Sequence, residues 1–241
     1  MRARALALAS LVLLACATTA CGSDKTRVYV FGDSLVFQAS PYLADQLRHD
    51  GFSARIASIS GGATCDLFAK MKSAHDRFHP AVVAISFSGN AFGACMRHPD
   101  GSALSDAERL AKYRTDTEFA ISLFGKATLI YLVGTPVNQA GDDGVFQIYR
   151  AIAPRHPNVS FVDGGKYVTP HHQFAHALAC LSHERCTGPV VNNVRTNIVR
   201  SPDDAHFCPI AAPFGKPCPV YSSGAYRFAL AITEAINRGT K

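Results

Sequence analysis

The chain has 241 residues, of which 48% are hydrophobic and 17% are charged, so it can bury one sizeable core without needing a second domain. Its formal net charge is +6, and its basic residues are scattered along the sequence. Because nucleic-acid binding needs basic residues grouped in a patch, this distribution argues against it.

The first twenty residues have the pattern of an export signal. Arg2 and Arg4 precede an almost wholly apolar run over residues 5–15. A basic start followed by about ten apolar residues is typical of a secretory signal and is too short to span a bilayer. We predict a lipoprotein-type signal peptide over residues 1–20 and a short tether over residues 21–26.

Two early cysteines, Cys16 and Cys21, each follow small residues in a pattern similar to the bacterial lipobox, in which the cysteine is lipidated. Cys16 has the better leucine upstream, whereas Cys21 is followed by a polar tether and leaves an even set of six later cysteines. We predict lipidation at Cys21; lipidation at Cys16 and cleavage without lipid stay open. A diacylglyceryl anchor has two acyl chains, enough to hold the exported protein on the outer face of a bacterial membrane.

Beyond the tether, short apolar runs alternate five times with stretches of helical period. In chain order the predicted elements are strand 28–31, helix 41–49, strand 54–59, helix 65–78, strand 81–87, helix 105–124, strand 127–133, helix 145–152, strand 159–162 and a last helix over about 224–236.

Several of the predicted helices carry end signals. Ser40 is a candidate N-cap for the first helix, and Gly51 closes it. Ser105 has Glu108 three residues later, which is the spacing of a capping box. Either Ser222 or Ser223 opens the last helix.

The alternation predicts an α/β fold: a three-layer α/β/α sandwich around a five-stranded parallel sheet. The third strand is apolar on both faces, as a central parallel strand should be. Residues 164–220 break the pattern and are rich in His, Cys, Pro and Asn. We predict a loop-rich excursion there, within a single domain spanning residues 27–241.

Polar residues follow the predicted strands at their carboxyl ends, where open parallel sheets bind ligands. The first strand is followed by Asp33-Ser34, the second by Ser60-Gly61-Gly62 and the third by Ser88-Gly89-Asn90, and Asp203 and His206 come shortly before the last helix. A hydroxyl, a base, a carboxylate and N–H donors are the groups that nucleophilic acyl transfer needs.

These segments resemble the conserved blocks of the SGNH (GDSL) hydrolases, in the order that the family has them. Gly32-Asp33-Ser34-Leu35 is similar to the first block, residues 57–61 to the second, Gly89-Asn90 to the third and Asp203-x-x-His206 to the last. The resemblance spans about residues 27–236 and implies the flavodoxin-like fold of that family.

The resemblance also implies a role for each residue. Ser34 would be the nucleophile, His206 the general base and Asp203 the carboxylate that orients His206. The N–H groups of Ser34 and Gly61 and the side-chain amide of Asn90 would form the oxyanion hole.

Three positions leave alternatives open. Asp204 competes with Asp203 as the carboxylate, and Gly62 competes with Gly61 as the donor. The family often has aspartate after its third-block asparagine, where this chain has Ala91. We therefore expect weaker support of the Asn90 loop rather than loss of activity.

The six later cysteines are expected to form three disulfides after export. Cys65 and Cys95 follow two loops that would serve one oxyanion hole, so they should lie close together. Cys180 and Cys186 can close a short turn, and Cys208 and Cys218 flank the segment between His206 and the last helix. The predicted pairs are 65–95, 180–186 and 208–218.

The function expected from these residues is hydrolysis of a carboxylic ester of an envelope lipid or acylated glycan by a monomer without cofactor. O-acyl transfer uses the same acyl-enzyme and stays open, as does a non-catalytic domain that only binds acylated glycans. Four histidines of the excursion have no familiar zinc spacing, so no metal site is predicted; they are His171, His172, His176 and His183.

Overall fold

The computed structural model describes residues 25–141, 144–211 and 215–240. The predicted signal peptide and both candidate lipidation sites, Cys16 and Cys21, lie outside these residues. Within these three ranges, no helix is both long and apolar enough to cross a membrane.

Five parallel strands form the central sheet and confirm the predicted fold class. In chain order they are β1 Arg27–Gly32, β2 Ser53–Ser58, β3 Val82–Ser86, β4 Leu129–Gly134 and β5 Val159–Asp163. Their spatial order is β2-β1-β3-β4-β5. This order reverses between β1 and β3, and such a switch point leaves a crevice beyond the carboxyl ends of the two strands.

Five helices cover the two faces of this sheet. They are α1 Ser34–His49, α2 Phe68–Phe78, α3 Asp106–Ser122, α4 Gly144–Ile152 and α5 Ser223–Thr240. Alternate residues of β1 enter two separate cores, because side chains of a strand point in turn to opposite faces. Tyr29 and Phe31 pack with α2, α3 and α4, while Val28 and Val30 pack with α1 and α5.

The start predicted for the first helix is wrong, because α1 begins at Ser34 and continues through Pro41. Asp33 is its N-cap and accepts a hydrogen bond from the Leu35 N–H. Ser40, expected as the cap, instead donates its hydroxyl to the Val36 carbonyl inside the helix. The interior proline is tolerated because five apolar side chains of α1 are buried, and tertiary packing outweighs one lost backbone bond.

The other helix signals are resolved by side-chain contacts. Ser105 and Glu108 form the predicted capping box of α3. Ser222, rather than Ser223, opens α5, because its hydroxyl accepts the Ala225 N–H at 3.3 Å. The predicted helix 65–78 is divided into a 3-10 turn over Thr64–Leu67 followed by α2.

The excursion contains a small antiparallel sheet that the sequence analysis missed. Its strands are β6 Ala177–Ala179, β7 Val190–Val191 and β8 Val194–Ile198, in the order β6-β8-β7. With three and two residues, β6 and β7 are too short to show a readable alternation. The Asn192-Asn193 pair was the available signal, because both residues adopt positive φ in the tight turn between β7 and β8.

A buried ion pair fastens the excursion to α5. The side chains of Arg227 and Glu184 are 2% and 0% exposed, and Arg227 Nη2 lies 2.7 Å from Glu184 Oε2. Arg227 also donates to the carbonyls of Tyr167 and Ala179. Burial alone would raise the pKa of the Glu184 carboxyl, but hydrogen bonds from Arg227 and from the Leu181 N–H hold it below its usual value.

We predict that Glu184→Gln lowers the free energy of unfolding by about 3–5 kcal/mol, because the Arg227 charge would stay buried without its counter-ion. Chemical denaturation at neutral pH measures this loss. A folded-state pKa below the unfolded value means that the contribution is complete above about pH 5 and is lost as the pH falls through the folded pKa.

The matched control is Asp76→Asn, which breaks the exposed Lys72–Asp76 pair and should change stability little. Equal losses for the two variants would contradict the role given to the buried pair.

Candidate active site

The predicted catalytic side chains meet beyond the carboxyl ends of β1 and β3. Ser34 is the first residue of α1, directly after β1, and Asn90 lies in the loop after β3. His206 arrives from the segment before α5. The switch point of the sheet thus gathers residues that lie far apart in the sequence.

Ser34, His206 and Asp203 form a continuous chain of hydrogen bonds. Ser34 Oγ lies 2.9 Å from His206 Nε2, and His206 Nδ1 lies 2.7 Å from Asp203 Oδ2. Both contacts are satisfied by the tautomer that carries its proton on Nδ1, since Nε2 can then accept the serine proton. This is the geometry of a nucleophile with its general base and an orienting carboxylate.

Asp203 is held in place by the loop that it starts. Its Oδ1 accepts the N–H groups of Ala205 and His206, both at 3.0 Å, and the Ser201 hydroxyl. Partial removal from water would by itself raise the pKa of the Asp203 carboxyl, but these hydrogen bonds outweigh it and hold that pKa well below its usual range. Asp203 therefore stays ionised and keeps accepting the Nδ1 proton of His206.

The competing carboxylate points elsewhere. Asp204 has φ +58°, and its Oδ1 lies 3.3 Å from His176 Nδ1. Of the two neighbouring acids, only Asp203 contacts His206 in the described structure.

Asp33 joins the nucleophile to the Asn90 loop. Its side chain is fully buried, and its Oδ1 caps α1 at the Leu35 N–H. Its Oδ2 accepts the Ser88 N–H at 2.7 Å, the Ser88 hydroxyl at 2.6 Å and Asn90 Nδ2 at 3.0 Å. Burial raises the pKa of the Asp33 carboxyl, although the Ser88 hydrogen bonds oppose the shift.

Gly61 and Gly62, the two candidate oxyanion donors, differ in whether the backbone N–H already donates a hydrogen bond within the protein. The Gly62 N–H donates to the Ile59 carbonyl at 2.9 Å, whereas the Gly61 N–H has no hydrogen-bond partner within the described ranges. The Ser34 N–H is at the first position of α1, where a helix offers no internal acceptor. Gly61, at φ +74°, is thus better suited than Gly62 to donate to a ligand.

Solved structures share this architecture. The C-terminal catalytic domain of peptidoglycan O-acetyltransferase A from Streptococcus pneumoniae, solved with a methylsulfonyl adduct, matches with a TM-score of 0.55. The match covers 90% of this chain and 95% of that one at 16% identity. A Bacteroides fragilis protein assigned as an acylhydrolase matches with a TM-score of 0.51, covering 91% of this chain and 90% of that one at 14% identity. The chain has the SGNH hydrolase fold. No family model and no curated protein matches its sequence.

Two positioning side chains of this SGNH fold were missed by the sequence analysis. Gln38, one turn after the nucleophile, accepts the Phe207 N–H at 2.7 Å and so ties the His206 segment to α1. Arg200 is fully buried and donates to the Ala205 carbonyl at 2.9 Å and the Val137 carbonyl at 2.6 Å. Burial lowers the pKa of Arg200 to about 10, and a buried guanidinium on backbone carbonyls has no sequence signature.

The structure forms the three disulfides that the sequence analysis proposed: 65–95, 180–186 and 208–218. The first joins the segment after Gly61 to the segment after Asn90. The third closes a ring directly after His206. Two of the three therefore stiffen loops that carry predicted catalytic groups.

The cleft at Ser34 has a volume of about 400 Å³ and both polar and apolar walls. Ser34 and His206 line it. Its walls include Phe37, Gln38, Ser60, Ile210 and Lys216.

The histidines of the excursion do not gather into a ligand set. His176 contacts Asp204, and the ring of His172 packs 4.5 Å from that of Phe146. One group in the described ranges, Cys65 with Asp66 and Cys95, has metal-ligand spacing, but its two sulfurs are joined to each other.

We predict that Asp203→Asn lowers kcat by a factor on the order of 10³ to 10⁴, because the amide cannot hold the required histidine tautomer. Asp204→Asn is the matched control and should leave kcat and KM unchanged. Steady-state hydrolysis of p-nitrophenyl acetate measures both.

An inactive Asp204→Asn beside a normal Asp203→Asn would reverse the assignment. In the wild type, the plot of log kcat/KM against pH should fall at low pH with a slope of one. Protonation of Asp203 does not contribute to this fall, since the hydrogen bonds that it accepts hold the pKa of its carboxyl well below its usual range.

Proposed function

We propose that the protein is a carboxylic ester hydrolase that works through an acyl-enzyme on Ser34. The observation that carries the proposal is the unbroken hydrogen-bond chain from Ser34 through His206 to Asp203 in an open cleft. A serine that only capped a helix would need neither partner.

In the first half-reaction, Ser34 Oγ attacks the ester carbonyl while His206 Nε2 takes the serine proton. Negative charge moves to the carbonyl oxygen of the tetrahedral intermediate. His206 then gives its proton to the alcohol as the bond from carbon to alcohol oxygen breaks, which leaves an acyl group on Ser34. Asp203 stays ionised throughout and stabilises the imidazolium.

In the second half-reaction, a water molecule replaces the alcohol. His206 takes a proton from the water as its oxygen attacks the acyl carbon, and returns it to Ser34 Oγ as the acid leaves. The N–H groups of Ser34 and Gly61 and the amide of Asn90 are our proposed donors to the negative oxygen in both steps. The N-terminus of α1 adds a favourable partial positive charge beside Ser34.

Acyl transfer is the second candidate, and one observation favours it. The solved structure with the TM-score of 0.55 is a peptidoglycan O-acetyltransferase domain. An acyl-enzyme on Ser34 could be discharged by a sugar hydroxyl as well as by water. Both reactions fit an ester of an envelope lipid or acylated glycan as substrate. The binding-only alternative is disfavoured because a domain that only bound its ligand would not need the hydrogen-bond chain from Ser34 through His206 to Asp203.

We also propose that the chain is exported and held by a lipid on Cys21, acting as a monomer on the outer face of the membrane. The three disulfides support an oxidising compartment. The lipobox-like segment supports the anchor.

We predict that a fluorophosphonate probe labels the wild-type protein and that Ser34→Ala abolishes both labelling and p-nitrophenyl acetate hydrolysis. Only a serine activated by a base reacts with this probe. Ser60→Ala, which changes another hydroxyl of the same cleft, is the control and should keep both activities. Labelling that persists in Ser34→Ala would refute the proposed nucleophile.

The same assay separates hydrolysis from transfer when a sugar acceptor such as chitotriose is added. A hydrolase releases acetate at an unchanged rate. A transferase forms acetylated sugar and releases p-nitrophenol faster, because the acceptor speeds discharge of the acyl-enzyme.

We predict that the protein, expressed in a bacterium that processes lipoproteins, partitions into detergent and starts at Cys21. Cys21→Ser should abolish detergent partition, while Cys16→Ser should keep it. Mass spectrometry of the N-terminal peptide reads out the modification. A mature protein that begins at Cys16 would contradict the choice of cysteine, and an unmodified soluble product would contradict the anchor.

A further inference from the structure

The loop that carries Asn90 is held from α3 by two hydrogen bonds to consecutive carbonyls. Arg109 Nη1 donates to the Gly89 carbonyl at 3.0 Å. The Tyr113 hydroxyl donates to the Asn90 carbonyl at 2.8 Å. Arg109 and Tyr113 are four residues apart and so lie on the same face of α3, the face turned toward this loop.

Both donors are well placed to keep these bonds. Tyr113 is fully buried, and its ring lies in the core formed with α2 and α4. Burial raises the pKa of its hydroxyl far above the usual value, so it stays protonated and remains a donor. The Arg109 side chain is only 14% exposed, and Gly89, at φ +106°, leaves room for its Nη1, which a Cβ at residue 89 would approach to 2.7 Å.

We propose that Tyr113 and Arg109 are positioning residues that aim the Asn90 amide at the developing oxyanion. The proposal rests on the proposed function, in which Asn90 is one of the oxyanion donors. It also accounts for Ala91. The loop support that we expected to be weak without an aspartate at position 91 comes from α3 instead.

Hydrogen bonds hold Asn90 both at its backbone and at its side-chain amide. Its backbone is held through the carbonyl by Tyr113. Its amide nitrogen donates to Asp33 Oδ2 at 3.0 Å and also lies 3.3 Å from Ser88 Oγ and 3.4 Å from the Gly62 carbonyl oxygen. With one N–H bound to Asp33, the direction of the second, which here has the Gly62 carbonyl oxygen within reach, depends on where the backbone sits. A displacement of about 1 Å at such a donor can cost a factor on the order of 10² in rate.

A second buried tyrosine offers a matched comparison in the same core. Tyr149, on α4, is as completely buried as Tyr113, but its hydroxyl makes no hydrogen bond to Gly89 or Asn90 in the described structure. Tyr→Phe at either position removes one buried oxygen. Only the Tyr113 change releases the loop that carries Asn90.

The test is a double-mutant cycle that combines Tyr113→Phe with Asn90→Ala, assayed with p-nitrophenyl acetate. Asn90→Ala alone should lower kcat by about 10² to 10³. Tyr113→Phe alone should lower kcat by about 10-fold or more with KM little changed. In the Asn90→Ala background the second change should cost almost nothing further, because no amide is left to misplace.

Tyr149→Phe is the control and should leave kcat unchanged in both backgrounds. Thermal unfolding is measured for every variant, so that lost activity is compared among folded proteins. A merely structural role for Tyr113 predicts a lower melting temperature with normal kcat, or the same loss of kcat in both backgrounds. Either result would overturn the proposal.

Arg109→Met provides a second cycle with Asn90→Ala and decides the matter if Tyr113→Phe does not fold. It should show the same dependence on Asn90. If wild type is active and Ser34→Ala is dead while neither cycle shows coupling, the positioning role is wrong and the esterase stands. If wild-type protein neither hydrolyses the ester nor labels with fluorophosphonate, the proposed function fails and this proposal falls with it.

Discussion

The site depends on one buried carboxylate. Asp33 caps α1, which carries the proposed nucleophile at its first position, and accepts three hydrogen bonds from Ser88 and Asn90 in the loop after β3. A buried charge is costly unless it is well hydrogen-bonded, and here four donors share that task. The helix that presents Ser34 and the loop that presents Asn90 therefore cannot shift independently, because both are bound to the two oxygens of Asp33.

Much of the fold and the central chemistry could be predicted from sequence because both have local signatures. Val82 to Ile85 is apolar throughout, as a parallel strand buried on both faces should be, and it forms β3 together with the buried Ser86. Ser34 lies in a four-residue motif, residues 32–35, at the end of a strand. Asp203 precedes His206 by three residues. The structure brings these three side chains together.

The remainder could not be predicted because it depends on contacts between distant segments. The side chain of Gln38 accepts the Phe207 N–H, which is 169 positions away in the sequence, and no local pattern around residue 38 predicts this contact. The start of α1 was missed because Pro41 looks like a first-turn residue, whereas burial of Leu35 and Val36 extends the helix back to Ser34. In the sequence, Tyr113 is an ordinary core position of a helix. Nothing near it in the chain indicates that its hydroxyl donates to the Asn90 carbonyl.

In the proposed esterase, the ring closed by Cys208 and Cys218 separates a wall of the cleft from the residues that hold His206. Ile210, Ala211, Gly215 and Lys216 belong to this ring and form one wall of the cleft. His206 precedes the ring and is fastened by Ser201, Asp203, Arg200 and Gln38, all of which lie outside it. The wall can thus change in length or composition during evolution, or in a library of variants, while the reacting atoms keep their spacing. A scaffold of this kind can acquire new specificities by exchanging a single cross-linked insert.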